Sequence, residues 1–285
     1  MSGPRIRTRF RTRTATLAGI ALAGVAAAVA LQLDPRDLLR AGSSGTLRRF
    51  LGAAFHPAWR SPDSGALLLP DVLAALGRTV EFAAAALGLS VLAGVPLGFA
   101  ASRSWWENDT HERGRAARIR RAVGPPLTLA LRTVIAGMRS VHELIWAMLF
   151  LAALGLSFTA AVLAIAIPYA GTLAKVFSEM LDEAPRDAAD TLRGAGAPPL
   201  ATFVLAIIPR AMVDMASYSF YRFECAIRSS AVLGFFGLPT LGYSISLAFE
   251  NLHYGEVWTY LYGIFALILA LQWWSAALRR RDRWA

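Results

Sequence analysis

Apolar positions in this chain fall in long uncharged runs, and the polar positions gather between them. Residues 14–33, 82–102 and 257–278 each reach the roughly 20 residues an α-helix needs to cross a bilayer. Residues 144–174 are too long for one crossing and are broken by Gly155-Leu156-Ser157, which predicts two spans joined by a tight turn. No segment carries the two-residue alternation of a transmembrane barrel strand. The pattern predicts an all-α polytopic membrane protein with six spans, over residues 14–33, 79–101, 140–154, 158–177, 202–220 and 257–278.

What interrupts the runs sets the orientation. RIRTRFRTR at residues 5–13 precedes the first run. It reads as a signal peptide with Ala28-Val29-Ala30 as cleavage site, or as the cytoplasmic flank of a retained span. The length of the run favours the retained span. A loop with Pro, Gly and Ser follows, and then Gly94 and Gly98 sit four residues apart in the second span. That spacing lets helices approach closely, although glycine is also simply tolerated in membrane helices. The loop 103–121 is short and Arg-rich, so it is expected in the cytoplasm. Residues 125–138 carry Arg132 and run into Arg139 and Glu143. A charge at mid-bilayer costs about 2.5–3.5 kcal/mol, so this segment should lie at the cytoplasmic interface or enter it obliquely. Both termini and residues 178–200 then fall inside; five arginines in the first external loop go mildly against the rule. Residues 229–249 are uncharged but hold Gly234, Gly237, Pro239 and Gly242. They are read as a re-entrant or interfacial hairpin, because broken backbone in lipid needs protein or water around it.

Composition agrees. The 285 residues are 56% hydrophobic with a net charge of +10. The arginines flank the spans, so the charge points to membrane topology and not to nucleic acid. Cys225 is the sole cysteine, which excludes an internal disulfide and argues against a cysteine metal site. His142-Glu143 opens like a zinc-protease HExxH motif, but Trp146 stands where the second histidine is needed.

Charged groups near the spans are candidate functional residues. Arg222, Glu224 and Arg228 are expected at the external end of the fifth span. An arginine fork suits an oxyanion, while a salt bridge to Glu224 would make the cluster structural. Arg139 and Glu143, one helical turn apart, are expected to pair at a cytoplasmic gate. Asp214 is a lone carboxylate with no evident partner.

Residues 178–200, SEMLDEAPRDAADTLRGAGAPPL, predict a helix, a break at Gly194, Gly196 and Pro198, and a second helix leading into the fifth span. From Asp190 to Pro209 the spacing resembles the E-A-A-x3-G-x9-I-x-L-P loop of membrane subunits of binding-protein-dependent ABC importers. Gly196 takes the central glycine, Asp190 the Glu position, Ile208 the Leu and Pro209 the final proline. Thr191, Leu192 and Ala206 depart from the pattern. RSVHELIWAML from Arg139, GTLAKVFSEMLDE from Gly171 and YRFECAIRSSAVLG from Tyr221 together resemble the permease of phosphonate-type importers, over residues 75–278. Where that family usually has a glycine-rich turn after Val-Leu-Gly, this chain has FFGLPTLG, which leaves the substrate open.

The resemblance implies a type I importer permease in the bacterial inner membrane: residues 1–74 an N-terminal span and external loop, 75–278 the permease domain, 279–285 a basic cytoplasmic tail. It implies a homodimer that receives substrate from an extracytoplasmic binding protein. It assigns Asp190, Gly196, Ala197 and Pro209 to coupling with a separate ATPase subunit. No P-loop frame surrounds Lys175, the only lysine, so ATP and Mg are expected on that partner and no cofactor on this chain. Phosphonate or a related phosphorus oxyanion is the expected cargo, another small solute the alternative. A secondary transporter would call for inverted repeats with paired broken helices, and a membrane enzyme for convergent reactive side chains. A scaffold would need no docking loop.

Overall fold

The computed structural model describes residues 5–32, 41–107 and 115–281. Among the described residues every named element is helical, with one isolated β-bridge between Arg60 and Leu67. The chain divides into two compact units, Met1–His56 and Pro57–Ala285. The first holds α1 (Arg5–Ala30) and α2 (Ala41–Ala54). The apolar part of α1, Ala15–Ala30, is shorter than a full span, and the expected span over 14–33 runs past the described residues at its end. The end of the basic tail and residues 108–114 also lie outside them.

The second unit is built from α3 (Leu69–Ala101), α4 (Arg103–Glu107), α5 (Arg115–Ser140), α6 (Glu143–Leu154), α7 (Phe158–Glu183), α8 (Asp187–Gly194), α9 (Pro199–Thr202), α10 (Ile208–Leu233), α11 (Leu241–Glu250) and α12 (Tyr254–Arg281). Among the described residues four continuous helical stretches are long and apolar enough to cross a membrane: Leu69–Ala101, Phe158–Glu183, Pro199–Phe236 and Tyr254–Ala277. The expected third span is corrected. α6 has 12 residues, about 18 Å, and crosses only half of a hydrocarbon core of about 30 Å. It completes a crossing only together with residues 122–140 of α5, from which it turns by 85°. His142 caps α6 through its imidazole, which accepts from the Leu144 amide at 3.3 Å. The α6–α7 hairpin is as the sequence predicts. Gly155 turns at φ +74°, and the Ser157 hydroxyl accepts from the Ala160 amide at 3.2 Å to start α7.

The expected fifth span also changes. Helix runs from Pro199 to Phe236 without a gap, through a π-helical turn at Phe203–Ile207. Pro209 explains that turn: proline offers no N–H and crowds the carbonyl one turn back, and a π-turn absorbs the mismatch. Residues 229–233 are the last turn of α10 and not part of a hairpin. α-Helix gives way to a 3₁₀ turn at Gly234–Phe236, the break follows at Gly237, and α11, about 15 Å long, does not cross. A Cβ at Gly242 would fall on the Ala231 carbonyl, so glycine alone permits α11 to meet the end of α10 there.

α3 and α7 form the centre of the unit. In lipid, helices gain little by hiding apolar surface from each other, so close packing of small residues must hold them. Ala83, Ala86, Ala161 and Ala164 are fully buried, and the Ser90 hydroxyl donates to the Ala166 carbonyl at 3.1 Å. The close-approach reading of Gly94 and Gly98 is the one observed. A Cβ at Gly94 would lie 2.9 Å from the Leu173 Cβ, and one at Gly98 would lie 2.9 Å from the Ala174 carbonyl oxygen. Gly98→Val is therefore expected to force the pair apart at about 1–3 kcal/mol, read as a lower unfolding temperature of the purified protein in detergent. An unchanged transition would show that the contact contributes nothing.

Candidate functional site

Depth places the first group of candidates. Glu143 lies 11 residues before the end of α6, and Tyr169 lies 11 residues after the start of α7. At 1.5 Å per residue both sit about 16 Å from the hairpin turn, halfway through a core of about 30 Å. Tyr169 is buried, and its hydroxyl lies 3.0 Å from the Ser229 hydroxyl of α10. Ser229 in turn donates to a Glu143 carboxylate oxygen at 3.0 Å. Since Ser229 has one proton and gives it to Glu143, the tyrosine must donate to the serine. The other Glu143 oxygen faces the His142 imidazole at 3.6 Å.

Arg222 reaches the same tyrosine from α10. Its guanidinium carbon stands 4.0 Å over the centre of the Tyr169 ring. It forms no ion pair among the described residues, and its Nε is buried without a hydrogen-bond partner. Trp146 Nε1 on α6 and Ser230 Oγ on α10 are likewise unpaired. A cation–π contact contributes about 0.5–2 kcal/mol, less than the roughly 2.5–3.5 kcal/mol that a mid-bilayer charge costs. The stack alone does not account for the arginine. A groove open to water or to an anion would.

The expected external cluster is thus split and relocated. Arg222 lies mid-helix at half depth, with 11 more residues of α10 after it. Glu224 and Arg228 face elsewhere: they pair with each other at 2.8 Å, and Gln272 of α12 donates to Glu224 at 3.0 Å. Their charges cancel within the pair. The expected Arg139–Glu143 pair does not form, because the 85° bend falls between the two residues. Exposed Arg139 instead ends α5 at the bend, close over Gly171 of α7, and Tyr218 lies within electrostatic reach of both Arg139 and Arg222. Tyr169 and Ser229 were missed by the sequence reading. A tyrosine alone in the apolar run 158–177 and a Ser-Ser pair two turns beyond Arg222 were the available signals.

The second group is the break after α7. α8 starts with Asp187 and Asp190 in its first turn and ends in a left-handed glycine, Gly196 at φ +85°. The Ala197 amide donates to the Leu192 carbonyl at 3.0 Å and closes the cap, a geometry glycine adopts without strain. A Cβ at Gly196 would meet nothing within 4 Å, so the glycine serves conformation here and not close approach within the chain. Asp190 pairs with Arg193 at 3.0 Å and remains exposed. Arg210, next to Pro209 at the base of α10, grips both carboxylate oxygens of Asp187 and donates to the Pro185 carbonyl at 3.2 Å. The guanidinium bonds hold the Asp187 carboxyl below the usual carboxylate range.

The break is joined to the spans through α4. Phe203, fully buried in the π-turn, meets Phe99 at 5.0 Å and Trp105 at 5.5 Å between ring centres. Asp182 at the end of α7 accepts from the Ser104 amide at 2.8 Å and from Arg132 at 3.2 Å, and Arg132 also donates to the Ala101 carbonyl at 3.2 Å. Asp182 lies 13 residues, about 20 Å, past Tyr169, so α5 meets the far end of α7 at Arg132 and approaches the middle of α7 toward Ser140. Ala189 of α8 packs under this joint with Phe203, Leu181 and Ile207. Among the described residues no cluster is arranged to hold a metal ion.

Comparison with known proteins agrees with this geometry. Residues 114–283 match the family described as the binding-protein-dependent transport system inner membrane component. The chain is 33% identical over 152 residues to a phosphite transport system permease protein of Stutzerimonas stutzeri, covering 52% of this chain and 54% of that one. It is 28% identical over 211 residues to a phosphate-import permease protein of Mycolicibacterium smegmatis, covering 74% of this chain and 37% of that one. The chain thus spans about half or less of the length of these curated relatives. A solved amino acid ABC transporter crystallised with histidines has the same fold, with a TM-score of 0.61 at 18% identity over 75% of this chain and 94% of that one.

Proposed function

The chain belongs to the family of inner membrane components of binding-protein-dependent transport systems, and from that premise we propose that it is the permease subunit of an ATP-driven importer for phosphorus oxyanions. The observation that carries the cargo is Arg222, a guanidinium at half depth with no carboxylate partner among the described residues. The phosphite and phosphate relatives support the same class of solute. The protein spans the bacterial inner membrane several times. Its sides follow from the arginines of loop 103–121: that loop and α8 face the cytoplasm, and so does the C-terminus.

In this reading α8 docks on a separate ATPase subunit that binds ATP and Mg, and two copies of the chain enclose the path. An extracytoplasmic binding protein delivers the oxyanion from the hairpin side. Movement of the ATPase reaches the spans through α8, the Phe99–Trp105–Phe203 contact and the Asp182 junction. Arg222 and Arg139 offer the cargo cationic contacts at half depth, where an anion otherwise finds no solvation.

Co-purification with the ATPase tests the reading. Gly196→Arg places a long, bulky side chain at φ +85°, a conformation that costs an L-residue about 1–2 kcal/mol, on an exposed face. It is expected to lose the ATPase while still inserting in the membrane. Gly196→Asn, which tolerates the left-handed region, is expected to keep it. A wild-type chain that inserts stably and binds no ATPase subunit would overturn the importer reading.

A further inference from the structure

The half-depth site holds one carboxylate among its cations. Two guanidinium groups, Arg139 and Arg222, lie within electrostatic reach of Tyr218, and Glu143 lies across Tyr169 and Ser229 from Arg222. The formal sum is one net positive charge. The hydroxyl relay has a fixed polarity: Tyr169 donates to Ser229 and Ser229 donates to Glu143. One Glu143 oxygen is thereby occupied. The other has only His142 near it, at 3.6 Å, beyond hydrogen-bond range. The Glu143 side chain is 24% exposed.

A carboxylate inside an anion site works against anions unless the anion brings a proton. Facing a fully ionised oxyanion, its charge repels and its lone pairs meet only lone pairs. Facing an oxyacid that retains one hydroxyl, it accepts a charge-assisted hydrogen bond. Phosphorus oxyacids have their second ionisation near neutrality, about 6 for a phosphate monoester, so a P–OH is available there. Sulfate is a tetrahedron of similar size with no proton at that pH.

We propose that Glu143 is a specificity-determining residue that selects a protonated, singly charged phosphorus oxyanion, Arg222 holding its anionic oxygens while Glu143 accepts its P–OH. The proposal rests on the oxyanion-importer reading and adds to it a selection against sulfate within the membrane, independent of the binding protein. It gives Glu143 a role other than balancing Arg139. The bond from Ser229 holds one Glu143 oxygen and leaves the other for the cargo.

The test uses the purified full-length chain in detergent at pH 7, without partners, with inorganic phosphate and inorganic sulfate as probes. Apparent affinity is read from the ligand-induced rise in unfolding temperature. The wild type is expected to prefer phosphate over sulfate by at least about tenfold, because a site built to receive a hydroxyl leaves its acceptor unpaired with an analogue that lacks one. Glu143→Gln, whose amide can donate, is expected to bring the two within about twofold, mainly through tighter sulfate binding. Glu143→Asp is expected to retain the preference and controls for a variant that folds poorly. If wild type binds both anions equally, or if Glu143→Gln keeps the full preference, the role of Glu143 is overturned while the oxyanion reading stands. If wild type binds neither anion, the oxyanion reading falls, and this proposal with it.

Discussion

Arg222→Gln is expected to lower oxyanion import about 10- to 100-fold while leaving the protein as stable as wild type or more so. Loss of a hydrogen bond from a charged donor corresponds to about 1.5–3 kcal/mol. If that bond forms with the cargo at half depth, the change appears in transport. Stability should move the other way. The Tyr169 stack offsets only part of the cost of a guanidinium at that depth, and glutamine removes the charge from a place where no carboxylate answers it. Uptake into proteoliposomes containing the complete transporter, set beside thermal unfolding of the purified chain, reads both. Wild-type uptake by the variant would remove Arg222 from the path. A large loss of stability would make it a structural residue.

Phe203→Ala is expected to separate ATP hydrolysis from transport. Phe203 is fully buried where the segment after α8 becomes the long helix, with Phe99 and Trp105 packed edge-on against it. Truncating a buried phenylalanine costs about 3–5 kcal/mol, and here the loss falls on the joint between α8 and the spans. The ion pairs of α8, Arg210 with Asp187 and Arg193 with Asp190, do not touch the ring and should keep α8 able to dock. The expected outcome is ATP turnover near the wild-type rate with several-fold less cargo moved per ATP. Trp105→Phe keeps an aromatic contact and is expected to be nearly silent. An unchanged ratio of cargo to ATP in Phe203→Ala would show that force reaches the spans by another route, of which the Asp182 contacts to Ser104 and Arg132 are the nearest.

Much of this was legible along the chain because the bilayer imposes one-dimensional rules. A span must be a long apolar run, so the class and the α6–α7 hairpin followed from spacing alone. A break that must leave the helix needs glycine and proline, so α8 and its left-handed Gly196 were readable too. Gly94 and Gly98 were legible as small residues at one-turn spacing, but only the structure placed Leu173 and Ala174 against them.

The errors have one cause. The expected third span began at Ser140 because hydropathy registers no corner, and the 85° turn at His142 is a matter of where α5 and α6 pack on α7. The expected re-entrant hairpin began too early because glycines mark a break without saying how far the preceding helix persists. Arg222, Glu224 and Arg228 looked like one cluster because they are neighbours in sequence. On a helix, residues two apart point to nearly opposite sides, whereas Glu224 and Arg228, four apart, share a face.

The sequence by itself determined that this is a helical membrane protein, where its hairpin turns, that its helices break after α7, and that charged groups sit too near the bilayer to be incidental. Only the tertiary structure decided which charges pair and which, among the described residues, do not. Glu143, Tyr169, Arg222 and Ser229 come from three helices and meet because those helices cross at one depth. Membrane insertion depends on the composition of each segment taken alone. A partner for a side chain depends on two segments at once, and no pattern within either one encodes it.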